Sequence, residues 1–202
     1  MQRVESILSF WFGPFGADGF PLEDRNKLWF YANADTDTQI RQCFEPDLQK
    51  AGSGQLAPWQ HTPRARLALI ILLDQFSRNI YRGTPQAFAQ DAAASALALA
   101  GIHAQHDLAL GPCERAFFYM PLEHLEDLAH QDRCLELYNK LISSLPAASA
   151  DKLLSFRDHA VGHRDIIAKF GRFPHRNKIL GRPATPPEIE FLSRNPSRFG
   201  QG

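Results

Sequence analysis

Cysteine is scarce in this chain of 202 residues. Cys43, Cys113 and Cys134 are widely spaced, and no C-x-x-C pairs them. A disulfide framework and a cysteine-rich zinc site are thereby excluded. No long hydrophobic run exists either. The longest uninterrupted aliphatic stretch, Leu67 to Leu73, is far too short to span a bilayer. Net charge is also missing: 22 Lys and Arg balance 22 Asp and Glu, and the pI is near 7.1. A global pull toward nucleic acid or an anionic membrane is not expected. No segment alternates cleanly between apolar and polar residues, so no sheet is expected. A serine elbow, a Gly-rich phosphate loop and a zincin pattern are all absent.

What is present points to helices around a large core. Hydrophobic residues make up 44% of the chain, and 15 phenylalanines supply bulky packing anchors. The length suits one domain over residues 1–202. Helices are expected over Glu5 to Phe12, Glu23 to Tyr31 and Asp35 to Ala51, with a bend or an early restart at Pro46. Thr62-Pro63 opens a buried helix running to about Tyr81, and Thr84-Pro85 opens an alanine-rich one that stops at Gly101. Pro112 starts a helix through Tyr119, and Pro121 restarts one that ends before Pro146. Asp151 to Phe170 follows, and Thr185-Pro186-Pro187-Glu188 has the form of a capping box. The fold class is all-α, a stack of helix pairs with short loops. Arg3 and Glu5 before Ile7 to Phe12, with no small-residue cleavage site after it, do not make a signal peptide. A cytoplasmic protein is expected.

Four polar constellations stand out. In the first, Asp74, Arg78, Asn79 and Arg82 directly follow the buried aliphatic run, and Asp74 and Arg78 are i, i+4 partners. They make either a polar helix end or a donor-rich ligand face. In the second, Arg115 precedes Glu123, His124 and Asp127, which can converge within one helix turn after Pro121. Carboxylate beside imidazole suits a divalent metal or acid–base work, but more readily a helix start, where acids stabilise the dipole anyway, or a buried ion pair from Glu123 to an arginine. In the third, His159 and His163 share a helix face, but Ala160 stands where a zincin places its glutamate. The fourth is Arg172-Phe173-Pro174-His175-Arg176-Asn177, a proline-stiffened turn dense in donors between Gly171 and Gly181. It fits anion binding, or the satisfaction of helix ends at a tight corner. The stretch from Arg157 onward holds nine Lys and Arg against four Asp and Glu, so this turn lies in a locally positive region.

Taken together, these segments resemble an uncharacterised bacterial family, domain of unknown function 924. The resemblance rests on Ile7 to Gly13, Leu72 to Thr84, Phe117 to His124, Phe170 to Asn177 and Leu180 to Arg182, in order along nearly the whole chain. Ser77 departs from it, since the family usually carries proline there, and His159 lies outside the pattern while His163 lies within it. The resemblance implies a right-handed, tetratricopeptide-like superhelix of antiparallel helix pairs, and no established activity. A superhelix has a concave face. Asp74, Arg78, Asn79, Arg82, Arg115, Arg172, His175, Arg176 and Asn177 are expected to line it as ligand-binding residues for a small anionic molecule or peptide segment. Glu123, His124 and His163 are the catalytic candidates for the alternative, a hydrolase. Trp11, Trp29 and Trp59 are candidate apolar walls. A purely structural ion-pair network is the third reading. No metal or cofactor is expected.

Overall fold

The computed structural model describes residues 2–194; the two ends of the 1–202 span lie outside them. Its α-helices are α1 (Gln2–Phe12), α2 (Asn26–Phe30), α3 (Ala34–Gly52), α4 (Pro63–Ile70), α5 (Ser77–Ile80), α6 (Asp91–His103), α7 (Pro112–Glu123), α8 (Leu128–Ser143), α9 (Ala147–Asp151), α10 (Leu154–Phe170) and α11 (Pro186–Arg194). A π-type turn over Ile71–Phe76 joins α4 to α5, so one helical rod crosses the molecule from 63 to 80. The described residues contain no strand. A single antiparallel bridge, Phe15 to Pro21, closes the tight turn at Asp18-Gly19, where Gly19 has φ +76°.

Apolar spacing explains the burial of each element. In α1, Val4, Ile7, Leu8, Trp11 and Phe12 fall on one face and are all buried. The side chain of Asn33 caps α3 by accepting from the Asp35 and Thr36 amides. Pro46 does not end this helix; it rides on the exposed face while Ile40, Phe44 and Leu48 point inward. The rod is buried without interruption from Arg66 to Ser77, as an all-round apolar run requires. Helices α1, α6 and α7 pack on α4, while α3 lies along the π turn and α5. Helix α8 packs on α7, and α10 on α8. The main apolar cluster runs from Val4 in α1 to Ala160 in α10. Trp11 sits within it, its ring 5.5 Å from Phe76 and 5.7 Å from Phe117. Ile166, Ile167 and Phe173 form a second, smaller cluster under the C-terminal segment.

Three helix ends differ from expectation. Gly101 does not stop α6; the helix runs on to His103. A Cβ there would come within 2.4 Å of the Phe118 ring and 2.6 Å of Arg66, so this glycine permits close approach. The segment after Thr84 begins with a 3₁₀ turn, Pro85–Phe88, before α6 proper. Pro121 does not restart a helix. It lies inside α7, which continues to Glu123, and the break falls at His124 to Asp127, where Asp127 caps α8 by accepting from the His130 amide. Glu123 and His124 therefore sit at a helix C-terminus, not in a first turn.

Candidate functional site

The π turn sets the site's geometry. The Ser77 amide bonds back to the Leu72 carbonyl, one residue further than in an α-helix, and the Ser77 hydroxyl donates to the bypassed Leu73 carbonyl at 2.5 Å. The added residue turns Asp74 and Gln75 toward α7. Asp74 is fully buried, and its Oδ1 lies 2.7 Å from His124 Nδ1. A carboxylate only accepts, so Nδ1 carries the hydrogen and the neutral imidazole presents a lone pair at Nε2. Gln75 Nε2 donates to Asp74 Oδ2 at 2.5 Å, and Arg78 Nη2 stands 3.4 Å from Oδ1.

On the other side of the imidazole is Glu123, whose Oε1 is 3.8 Å from His124 Nε2. Its Oε2 is buried without a hydrogen-bond partner. The expected arginine pair to Glu123 is absent among the described residues. Burial and the nearby Asp74 carboxylate hold the Glu123 carboxyl well above the usual range, and its place at the negative end of α7 acts in the same sense. Burial pushes Asp74 up, but His124 and Arg78 push it down further, and it stays ionised. Burial and the Arg78 charge lower His124, which is neutral at neutral pH. Burial likewise drives His163 well down; its Nδ1 donates to the His159 carbonyl at 2.9 Å, and its ring centre is 5.9 Å from that of His124. The two carboxyls that flank the His124 imidazole are thus pushed in opposite directions, Asp74 down and Glu123 up.

These groups face a cavity of about 330 Å³, toward the small end of the ~300–1,000 Å³ that ligand sites span. Of the residues singled out in the sequence, Arg78, Asn79, Arg82, Glu123, His124 and His163 line it. Asp74 stands directly behind His124. Trp29, Phe30, Met120 and Phe156 form the apolar wall, with Tyr31 beside them. Trp29 is the one expected tryptophan there; Trp11 is sealed in the core, and Trp59 packs against it elsewhere. His159 also lines the cavity, its ring stacked on Phe30 at 5.9 Å.

The remaining expected residues do not line this cavity. Arg115 points along α7 to Tyr119, donating to its hydroxyl at 3.1 Å, and that hydroxyl donates to Asp107. Arg172 is held by Glu188 at 2.7 and 2.9 Å, and the same carboxylate accepts from the Thr185 amide that opens α11. Arg176 is buried between the rings of Phe88 and Phe173, 4.5 Å from each, and donates to Asp91 at 3.0 Å. Asn177 accepts from Arg182, which is bidentate to Glu126. Burial and the neighbouring Arg176 pull His175 down to about 3. The donor-rich turn is therefore a latch between the C-terminal segment and the α7–α8 loop, since its cations meet carboxylates of the chain itself.

The cavity's own arginines are matched in the same way. Arg78 reaches Asp91 at 2.7 Å, and Arg82 grips Asp37 at 2.6 and 2.9 Å, with Asn79 donating to the same carboxylate at 2.8 Å. Sequence reasoning missed Asp37 and Asp91. Both stand in the first turn of a helix, where an acid is already explained by the dipole. Among the described residues, no three His, Cys, Asp or Glu stand where they could hold a metal ion.

Comparison with known proteins places this chain in a family. Among curated proteins none matches the chain. The solved structure of a protein of unknown function, ATU0120 from Agrobacterium tumefaciens, is 35% identical, with a TM-score of 0.80, and the match covers 96% of this chain and 98% of that one. The family model for a bacterial protein of unknown function, DUF924, matches residues 7–196. The all-helical chain with its buried Asp74–His124 pair therefore belongs to the DUF924 family of bacterial proteins.

Proposed function

We propose that the cavity is the active site of a small-substrate hydrolase, with His124 as general base, Asp74 as its positioning residue and Glu123 as proton donor. The observation that carries this reading is the 2.7 Å contact from buried Asp74 to His124 Nδ1, which leaves Nε2 on the cavity side beside a protonated carboxyl. Water at Nε2 loses its proton to the imidazole as its oxygen bonds to the substrate's electrophilic carbon. Asp74 stabilises the imidazolium, and the Glu123 hydroxyl protonates the departing atom as its bond to carbon breaks. The proton on His124 then returns to Glu123 through solvent. Burial and the Arg78 charge keep the resting imidazole neutral.

The matched charges around the cavity favour an uncharged substrate. Binding of a small anionic molecule or peptide segment, the rival reading, has Arg78 and Arg82 in the wall as its support. Such an anion competes with Asp91 and Asp37 for them, which lowers its affinity. The free thiols Cys43, Cys113 and Cys134 support a cytoplasmic location, and no described helix is long and apolar enough to cross a membrane. Packing of α7 on α8, and of α8 on α10, supports a superhelix of helix pairs.

The test is a panel of small carboxylic esters and amides. His124→Gln lowers kcat on any turned-over substrate by about 10²-fold or more. Nitrogen NMR of the free protein reads the Nδ1–H tautomer of neutral His124 at pH 7. Unchanged kcat in His124→Gln, or an Nε2–H tautomer, refutes the assignment.

A further inference from the structure

The cavity's polar end has a definite hydrogen-bonding pattern. His124 Nε2 offers one acceptor, because Asp74 fixes the other ring nitrogen as a donor. Glu123 Oε2 is sealed from water without a partner, so Oε1 is the oxygen that meets the cavity, and a carboxyl beside the Asp74 carboxylate keeps its proton. With that proton on Oε1, the cavity's end offers a donor and, 3.8 Å away, the Nε2 acceptor. The edge complementary to this pair carries a carbonyl oxygen and an N–H on the same side, which is the edge of a carboxamide. One wall of the cavity is aromatic and apolar: Trp29, Phe30, Met120 and Phe156 form it, with Trp29 and Phe30 edge-on to Phe156 at 6.2 and 5.4 Å. Arg78, Asn79 and Arg82 also line the cavity, and each is already bonded to a carboxylate of the chain.

We propose that this cavity takes small uncharged primary carboxamides carried on a flat apolar body, with Glu123 and His124 gripping the amide edge. The inference deepens the hydrolase reading and rests on it for the roles of the two residues, but it concerns binding alone. A carboxylate ligand is rejected because it has no N–H for His124 and would face Asp74 behind the imidazole. An apolar ligand is disfavoured because it leaves Glu123 and His124 buried and unpaired.

The probe is benzamide, with benzoate and toluene as controls, followed by calorimetry and by the NMR shifts of His124. Benzamide binds with a dissociation constant of about 0.1–1 mM, as expected for so few atoms, and shifts His124; benzoate and toluene bind at least tenfold more weakly. Glu123→Met weakens benzamide at least tenfold, whereas Glu123→Gln, which keeps a hydrogen-bond donor at that end of the cavity, stays within about threefold. Benzamide binding no tighter than benzoate or toluene overturns the proposal, as does undiminished affinity in Glu123→Met. The two readings fail separately. Ester hydrolysis that depends on His124 without amide binding removes only the carboxamide class, and amide binding with turnover indifferent to His124→Gln removes only the hydrolase.

Discussion

Replacing Asp91 by alanine is the sharpest test of the charge network that frames the site. Asp91 joins Arg78 to Arg176 in a chain of groups running His124, Asp74, Arg78, Asp91, Arg176. It meets Arg78 at 2.7 Å and Arg176 at 3.0 Å, and it is 6% exposed. Its removal leaves two buried guanidinium groups beside the Phe88 ring with no carboxylate between them. Burial and Arg78 already draw Arg176 down to about 10, so both remain charged at neutral pH and repel. Breaking a buried pair in this way costs about 3–5 kcal/mol. For 202 residues the unfolding entropy, ~2.1 cal/mol/K per residue, converts that to a fall in Tm of roughly 7–12 °C. Urea unfolding and calorimetry measure it. Arg176→Met in the Asp91→Ala background removes one stranded charge and should return at least ~1 kcal/mol, a coupling read from the double-mutant cycle. An Asp91→Ala protein that melts within about 2 °C of the parent, or a strictly additive cycle, refutes the claim that these charges depend on one another.

Acidification destabilises the protein between pH 7 and 5. His175 titrates near 3 when folded and near 6.5 when unfolded, so only the unfolded chain gains its proton in this window, at a cost of about 2 kcal/mol by pH 5. His124 and His163 act in the same sense, whereas Glu123, protonated when folded and ionised when unfolded, recovers part of the loss as pH falls toward 4.5. Urea midpoints that stay flat or rise from pH 7 to 5 contradict this balance, and His175→Gln should shallow the slope. Glu123→Met stabilises the apo protein by about 1–3 kcal/mol, because it removes a buried carboxyl oxygen that has no partner; a lower urea midpoint in that variant would show that Glu123 is held by interactions it does not make here.

The sequence announced the helices more clearly than their joints. Leu67 to Leu73 had to be buried on all sides, and it is. The π turn within that rod was invisible, because one inserted residue in a uniformly apolar run does not disturb its periodicity. Pro121 looked like a helix start, since proline favours a first turn. It is tolerated inside α7 instead, and the true start is marked by Asp127, one acid among several. The Glu123–His124 candidates were found for a partly mistaken reason: they converge with Asp74 across 50 residues and not with Asp127. Arginine is where residue type misled most. A guanidinium destined for a ligand and one destined for the chain's own carboxylate look alike in sequence. The partner of Arg172 lies 16 residues on and that of Arg176 lies 85 residues back. Spacing rules that operate within one helix do not reach so far.

The contrast between matched and unmatched groups separates scaffold from site. Arg78, Arg82, Arg172, Arg176 and Arg182 each find a carboxylate of the chain, so their burial serves helix docking without any ligand. Glu123 does not fit that scheme. It is 4% exposed, its Oε2 has no partner, and it faces a cavity with Asp74 and His124 behind it. An apolar side chain of equal size would pack there at lower free energy. Local rules are broken at a cost chiefly where chemistry needs the broken arrangement. Asp74 does the complementary thing: it spends its burial on holding one imidazole in one tautomer. A network evolved for stability alone would connect Glu123 to Arg78, whose charge lies close enough to lower the Glu123 pKa. Instead that arginine is shared between Asp74 and Asp91, and the proton stays on Glu123, beside the lone pair of His124.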